Sequence, residues 1–371
     1  MSRTTAEPGW SRPLPRALLQ GLIDDAAVFP PRSASLAAAV AGHLEHRRGP
    51  LAPFLGPLLV PASAAADLIS VLGPALEGVD DNPGRLASGR KPGSGAGATH
   101  PPAVQLINRP GQDPQVLDQA RQVLAGQVQV VGMELAHCPD WPEFAGEDAV
   151  AVEVPRGPAG QRALADLGCH AGGAPGHGTG RAPVHETGSE PVHTAETGST
   201  PPATSARIRA KLRTQSTPTD PVPTPGELAE FISTCQDLGL GFKLTGGLHH
   251  AVAGPVATPA GSEDQHGVLN VLVATHLAHT GADIGTITAA LRERDGDLLA
   301  RILLGLRADQ AERVRASFTS FGCCDVGDPV QDLAGRGLLP VTWPGPAPGP
   351  DRRAEGAPDH DQHPNPRNPF E

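Results

Sequence analysis

The sequence RIRAKLR, residues 207–213, alternates aliphatic and basic side chains with a period of two. Successive side chains of a β-strand point to opposite faces, so its aliphatic residues would share one face, with Lys211 and Arg213 on the other. The sequence GFKLT, residues 241–245, repeats the pattern around Lys243. Two such strands favour a sheet with one apolar face and one polar face.

Lysine is rare in this chain. Only three of the 29 basic residues are lysine, and two of them are Lys211 and Lys243, which lie inside apolar segments. A desolvated lysine can lose its proton and act as a nucleophile or base, whereas arginine stays charged. The two lysines therefore predict a site whose chemistry requires a side chain that can lose its proton.

Short β-rich runs alternate with helical patterns along the chain, which is typical of a parallel α/β architecture. Eight candidate strands can be marked, the number in a closed barrel. We therefore predict an α/β fold of the (β/α)8 TIM-barrel type. An irregular or incomplete barrel is the alternative, because residues 137–148 and 246–267 show little helical pattern. The candidate strands are 55–61, 103–108, 128–136, 149–155, 207–214, 241–245, 268–273 and 317–324.

The length of 371 residues is sufficient for one large domain, which we predict over residues 1–343. Residues 168–205 read as a disordered low-complexity insert, because Gly, Pro, Ser and Thr dominate and large apolar residues are nearly absent. Residues 82–102 read as a flexible loop and residues 344–371 as a disordered tail.

Charge and composition restrict the partners. The net charge is -11 and no basic run stands out, so we expect no nucleic-acid partner. We also expect no membrane association and a cytoplasmic location, because neither a signal-peptide core nor an apolar membrane span is found. The five scattered cysteines favour reduced thiols over a disulfide framework.

Three more polar residues alternate with aliphatic neighbours, namely Glu134, Glu153 and Asn270. With Lys211 and Lys243 they would face the barrel interior near its C-terminal mouth, where such folds place their chemistry. Each has a structural alternative. Lys211 could be a solvated edge residue, the glutamates could form buried ion pairs, and Asn270 could satisfy backbone groups at a helix start.

The sequence TGGLHH follows Lys243 and adds Thr245, Gly246, Gly247 and His249 to the candidate site. The two glycines tolerate positive φ, so their N–H groups could hold an anion. His249 could serve as a general acid/base or as a ligand. Near the N-terminus, the aspartates of residues 24–31 (DDAAVFPP) could cap or close the barrel, and solvent exposure is the expectation for them.

The segments IDDAAVFPP, AKLRT, FKLTGGLHH, GVLNVLVA and SFGCCDVGDPVQDL together resemble those of an uncharacterised bacterial protein family of actinobacterial type. The resemblance covers most of residues 20–340 apart from the low-complexity insert. It implies that Lys211, Lys243, His249 and Asn270 lie in defining segments of the family, and it implies no reaction. The last family segment is usually closer to FGSCSFDEPV, which the cysteine pair of this chain replaces in part.

These patterns favour an enzyme of the lyase/aldolase or isomerase type acting on a small anionic carbonyl metabolite. Lys243 would be the nucleophile or base, its pKa lowered by desolvation and by Lys211 and Arg213 nearby. Glu153 or Glu134 would shuttle protons. Arg213, Thr245, Gly246, Gly247 and Asn270 would bind the substrate. This hypothesis requires no cofactor and leaves the oligomeric state open.

Two alternatives remain at this stage. One is a barrel enzyme that uses a divalent metal, held by Glu134, Glu153 and His249. The other is a non-catalytic ligand-binding or scaffold protein.

Overall fold

The computed structural model describes residues 13–77, 101–146, 148–172, 207–258 and 261–340. Within them, eight parallel strands form a closed barrel, which confirms the predicted (β/α)8 TIM-barrel-like fold. Most of the predicted insert (173–205), most of the predicted loop (82–100) and the predicted tail (344–371) lie outside the described residues.

The elements alternate along the chain in the manner of a (β/α)8 barrel, with short 3-10 turns at Ala62–Ala64 and Trp141–Phe144. In chain order they are α1 (Arg16–Leu19), β1 (Ile23–Asp25), α2 (Leu36–Arg48), β2 (Leu55–Pro61), α3 (Ala65–Glu77), β3 (Ala103–Ile107), α4 (Val116–Leu124), β4 (Gln129–Ala136), β5 (Ala149–Glu153), α5 (Gly157–His170), β6 (Ile208–Arg213), α6 (Pro225–Asp237), β7 (Gly241–Thr245), β8 (Gly254–Thr258), β9 (Gly261–Gln265), α7 (Val268–His279), α8 (Ile284–Arg292), α9 (Gly296–Leu304), α10 (Ala308–Ser317), β10 (Phe318–Cys323) and α11 (Gly327–Gly335).

The barrel order is β1-β10-β7-β6-β5-β4-β3-β2, closed by the pairing of β2 with β1. Strands β8 and β9 form a separate two-stranded antiparallel sheet. Lys211 of β6 lies directly opposite Lys243 of β7 in the parallel register. Because all eight strands run the same way, their carboxyl ends meet at one mouth.

Seven of the eight predicted strands are barrel strands, and the eighth is wrong. Residues 268–273 belong to helix α7, and residues 268–275 are all buried. The helix packs against α6, α8, α9 and α10. A helix that is covered on every side has no polar face, so its apolar run cannot be distinguished from a buried strand.

The strand absent from the prediction is β1, Ile23–Asp25, which pairs with β10 and β2. It is three residues long and contains two aspartates, so it lacks the apolar pattern of a buried strand. Both aspartates are buried, and the expectation that they are solvated is wrong.

The helix starts follow local chemistry. Thr224 caps α6 by accepting a hydrogen bond from the backbone N–H of Glu227, whose side chain accepts one from the backbone N–H of Thr224. Pro225 occupies the first helical position, which agrees with the sequence pattern. The first residues of the predicted insert, 168–170, are the last turn of α5.

The main core lies between the strands and the helices, where Phe242 stacks on Phe318 and meets Phe231 edge to face. A second, small apolar cluster contains Ala26, Leu59 and Ile107. Ala26 directly follows β1, Ile107 ends β3 and Leu59 lies two residues before the end of β2, so the cluster lies near the mouth. None of the described helices has the length and apolar character needed to cross a membrane.

Candidate functional site

Lys243 lies at the centre of the barrel interior with no exposed surface. Its Nζ is 2.5 Å from Oδ2 of Asp24 and also contacts Oε1 of Glu134. A third acceptor, Oε1 of Gln105, lies 3.4 Å away. An ammonium group has three hydrogens to donate, so these three acceptors satisfy it completely.

Lys211 binds the other oxygen of the same carboxylate. Its Nζ lies 2.7 Å from Oε2 of Glu134 and 2.8 Å from Oε2 of Glu153. Glu153 in turn accepts from Nε of Arg213 at 3.1 Å. The result is a continuous chain of alternating charge, which we call the interior ion chain: Asp24, Lys243, Glu134, Lys211, Glu153 and Arg213.

The interior ion chain rises from the sealed centre of the barrel to the mouth. The exposed fraction of the side chain is 0% for Lys243 and 1% for Glu134, then 5% for Lys211, 22% for Glu153 and 39% for Arg213. Lys211 is therefore the lysine next to the solvent-facing end, and Lys243 is the sealed one.

Burial raises the pKa of Glu134, but the ammonium groups of Lys211 and Lys243 outweigh it and lower that pKa from 4.5 to about 2. Burial likewise lowers the pKa of Lys211, yet Glu134 and Glu153 outweigh it and raise that pKa above 10.5. In the resting protein Lys211 is therefore an ammonium group paired with two carboxylates.

Asp24 is held by more than Lys243. Its Oδ2 accepts a hydrogen bond from Oγ of Ser320 on β10 at 2.8 Å. A Cβ atom added to Gly56 of β2 would overlap Oδ1 of Asp24 and lie 3.3 Å from the backbone oxygen of Ile23. Glycine at position 56 therefore makes room for the carboxylate.

Two arginines lie near this carboxylate. The charge of Asp24 acts on both Arg209 and Arg315, opposing the lowering of their pKa values by burial. Among the described residues, the Nε atoms of both arginines are buried without a hydrogen-bond partner. Both guanidinium groups therefore add positive charge near the carboxylate of Asp24.

Asn270 does not lie on a barrel strand as predicted, because its segment is helix α7. Its Oδ1 accepts from the backbone N–H of Ala253 at 2.8 Å. Its Nδ2 donates to the backbone oxygens of Ala290 and Glu293, both at 2.8 Å. All of its hydrogens are used, which corresponds to the alternative in which Asn270 satisfies backbone groups.

Gly246 and Gly247 have φ angles of +75° and +77°. A Cβ on Gly246 would meet the side chain of Gln215, and one on Gly247 would lie 2.7 Å from the backbone oxygen of Thr214. The N–H of Gly246 donates to the backbone oxygen of Gly322 at 3.1 Å. The glycines thus allow two loops to pack closely, and the Gly246 N–H is already used rather than open to an anion.

His249 lies apart from the interior ion chain. Its Nδ1 is 3.0 Å from Oδ2 of Asp328, and each ring nitrogen has a thiol 3.7 Å away, from Cys323 or Cys324. The predicted metal ligands Glu134, Glu153 and His249 are therefore not assembled. In the described part of the chain, no group of three or more His, Cys, Asp or Glu side chains is arranged to hold a metal ion.

The structure brings together Lys211, Lys243, Glu134, Glu153 and Arg213, and Thr245 lies beside Gly322 near them. Sequence reasoning missed Asp24, Gln105 and Ser320. A buried Gln105 between aliphatic neighbours had the same alternation as Glu134 and could have been found by it.

Comparison of the chain with protein-family models, with curated proteins and with solved structures finds no match.

Proposed function

We propose that this protein is an enzyme of the lyase/aldolase or isomerase type that binds a small anionic carbonyl compound as a Schiff base on Lys211. One observation carries the proposal: two lysines in register on neighbouring barrel strands share one buried carboxylate, and Lys211 is the one nearer the mouth. Such an arrangement places an amine beside a fixed positive charge and two carboxylates.

Lys211 becomes a nucleophile only when it loses a proton. Glu153, at 2.8 Å, is the acceptor nearest the mouth. Burial raises the pKa of Glu153, but Lys211 and Arg213 outweigh it and lower that pKa. When the anionic group of the substrate draws the guanidinium of Arg213 away, the proton affinity of Glu153 rises. Glu153 then takes the proton of Lys211, while the charge on Lys243 disfavours a second ammonium beside it.

The chemistry follows from the neutral amine. Nζ of Lys211 attacks the carbonyl carbon, and one proton of the attacking nitrogen passes to the former carbonyl oxygen, which becomes a hydroxyl. Glu153 then returns its proton to this hydroxyl, so that water leaves and an iminium forms. The iminium withdraws electrons from the neighbouring carbon. A carbon–carbon bond can then break, which is lyase chemistry, or a proton can move between carbons, which is isomerase chemistry.

The mouth suits an anionic ligand. Arg213 is 39% exposed there, and the guanidinium of Arg109 lies 5.5 Å from the ring centroid of Phe29. Both arginines follow or end barrel strands at the carboxyl side, the side where barrel enzymes bind substrates. A carboxylate or phosphate on the substrate would find two positive groups at this end.

The test is reductive trapping of the full-length protein. The protein is incubated with short aldehydes and 2-oxo acids, such as glycolaldehyde and pyruvate, and then treated with borohydride. We expect a stable mass increase equal to the reduced adduct, which Lys211→Arg abolishes although it keeps the charge. Absence of an adduct across the panel would contradict the Schiff base and favour a non-catalytic interior.

A further inference from the structure

A second polar cluster lies at the same rim of the barrel, beyond the ends of β7 and β10. Nδ1 of His249 is 3.0 Å from Oδ2 of Asp328, at the start of α11. The opposite ring nitrogen, Nε2, is 3.7 Å from Sγ of Cys324. The thiol, the imidazole and the carboxylate are therefore arranged like the nucleophile, the base and the orienting group of a catalytic triad.

The carboxylate determines the state of the imidazole. Asp328 accepts the hydrogen on Nδ1 and so orients Nε2 towards Cys324. The same hydrogen bond is the main cause that raises the pKa of His249 well above 6.5. A charged imidazolium beside a thiol favours the thiolate, which is the nucleophilic form of cysteine.

The two adjacent cysteines are not equivalent. Cys323 is 1% exposed, and its thiol donates to the backbone oxygen of Asp325 at 3.1 Å. Burial raises the pKa of Cys323. Cys323 also faces Nδ1, the nitrogen that Asp328 already engages, whereas Cys324 is 8% exposed and faces Nε2.

We propose that Cys324 is a nucleophile that accepts an acyl group from a thioester or an activated ester, with His249 transferring the proton and Asp328 positioning His249. This site does not involve Lys211, so an experiment that disproves one of the two proposals leaves the other intact.

The atoms balance in two steps. In the first, the Cys324 thiolate attacks the acyl carbon, the bond from that carbon to the leaving sulfur or oxygen breaks, and the leaving group takes the proton from Nε2 of His249. In the second, water gives a proton to Nε2 and attacks the new thioester. The carboxylic acid leaves and the thiolate–imidazolium pair is restored.

The experiment measures alkylation of each cysteine by iodoacetamide in the full-length protein, followed by peptide mass spectrometry across pH. Cys169, an exposed cysteine on α5, is the internal reference. The alkylation rate of an ordinary thiol with a pKa of about 8.5 falls roughly 200-fold from about pH 9 to about pH 6. We expect the alkylation rate of Cys324 to fall less than about tenfold over that range. Comparing the rates of one cysteine at two pH values removes the effect of how accessible that cysteine is.

The variants separate activation from simple burial. His249→Ala and Asp328→Asn should make the pH profile of Cys324 steep, while Cys323→Ala should leave the label on Cys324. A steep pH profile of Cys324 in the wild type overturns the activated thiol.

The acyl class is tested with p-nitrophenyl acetate and an acid quench. An acetyl group on Cys324 is expected, and alkylation without acetylation overturns the acyl assignment.

Discussion

Lys211 and Lys243 face each other across strands β6 and β7 and bind opposite oxygens of a single carboxylate, that of Glu134. Two ammonium groups this close repel each other unless an anion lies between them. Glu134 is therefore the residue on which the interior ion chain depends.

Glu134→Gln removes this anion while leaving the shape of the side chain nearly unchanged. We expect the variant to lose about 3–5 kcal/mol of unfolding free energy at neutral pH, because two buried ammonium groups lose a shared partner. Urea denaturation measures the loss. Glu143→Gln is the control, since Glu143 is exposed, and its change should stay within about 0.5 kcal/mol. Equal stability of the two variants would refute the role of Glu134.

The pH dependence of stability follows from the same residue. The pKa of Glu134 is lowered from 4.5 to about 2, so its contribution is complete above about pH 4.5 and is lost as the pH falls towards 2. The pKa of Lys211 is raised, so its contribution is lost only above about pH 10.5. We expect the difference in unfolding free energy between wild type and Glu134→Gln to shrink by on the order of 3 kcal/mol across the acid window. A constant difference would contradict this.

Gly56 tests the room made for Asp24. In Gly56→Ala the new methyl group would overlap Oδ1 of Asp24, so we expect a loss of about 1–3 kcal/mol. Gly42→Ala is the matched control, because a Cβ at this position in α2 would meet no atom within 4 Å. Alanine in a helix interior should stabilise by about 0.5–1 kcal/mol. Thermal denaturation reports both, and a stable Gly56→Ala variant would show that Asp24 can move.

Arg213 tests the recognition of the anionic group. Arg213→Met should lower borohydride trapping of pyruvate relative to glycolaldehyde by about tenfold, because only pyruvate carries a carboxylate for the guanidinium. Arg162→Met, at an exposed position of α5, should leave this ratio unchanged. A ratio that Arg213→Met does not alter would assign the anion contact to another group.

Most of the fold could be predicted because seven barrel strands are short β-rich runs between helical patterns, and alternation within several of them reports the two faces of the strand. The exceptions have physical reasons: β1 is short and acidic because Asp24 faces Lys243, and helix α7 is apolar because other helices cover it on all sides. The local sequence pattern carries no information about either of these tertiary contacts.

The candidate site was predictable in part for the same reason. Alternation predicts that Glu134, Glu153, Lys211 and Lys243 lie on one face of the barrel sheet. The register of the parallel strands then brings these residues together. Which groups pair depends on distance across the barrel, so the contacts of Asp24, 219 residues before Lys243, could not be predicted from sequence. Nor could the raised pKa of Lys211, because it depends on the position of two carboxylates.

Peptide mapping of the borohydride-reduced adduct tests most directly whether Lys211 forms the Schiff base. The chain has only three lysines, Lys91, Lys211 and Lys243, so peptide mapping has to distinguish only these three side chains and the N-terminal amine. We expect the adduct on Lys211 alone, and we expect it to persist in the variant Lys91→Arg. An adduct on Lys91 or Lys243 with Lys211 unmodified would contradict it.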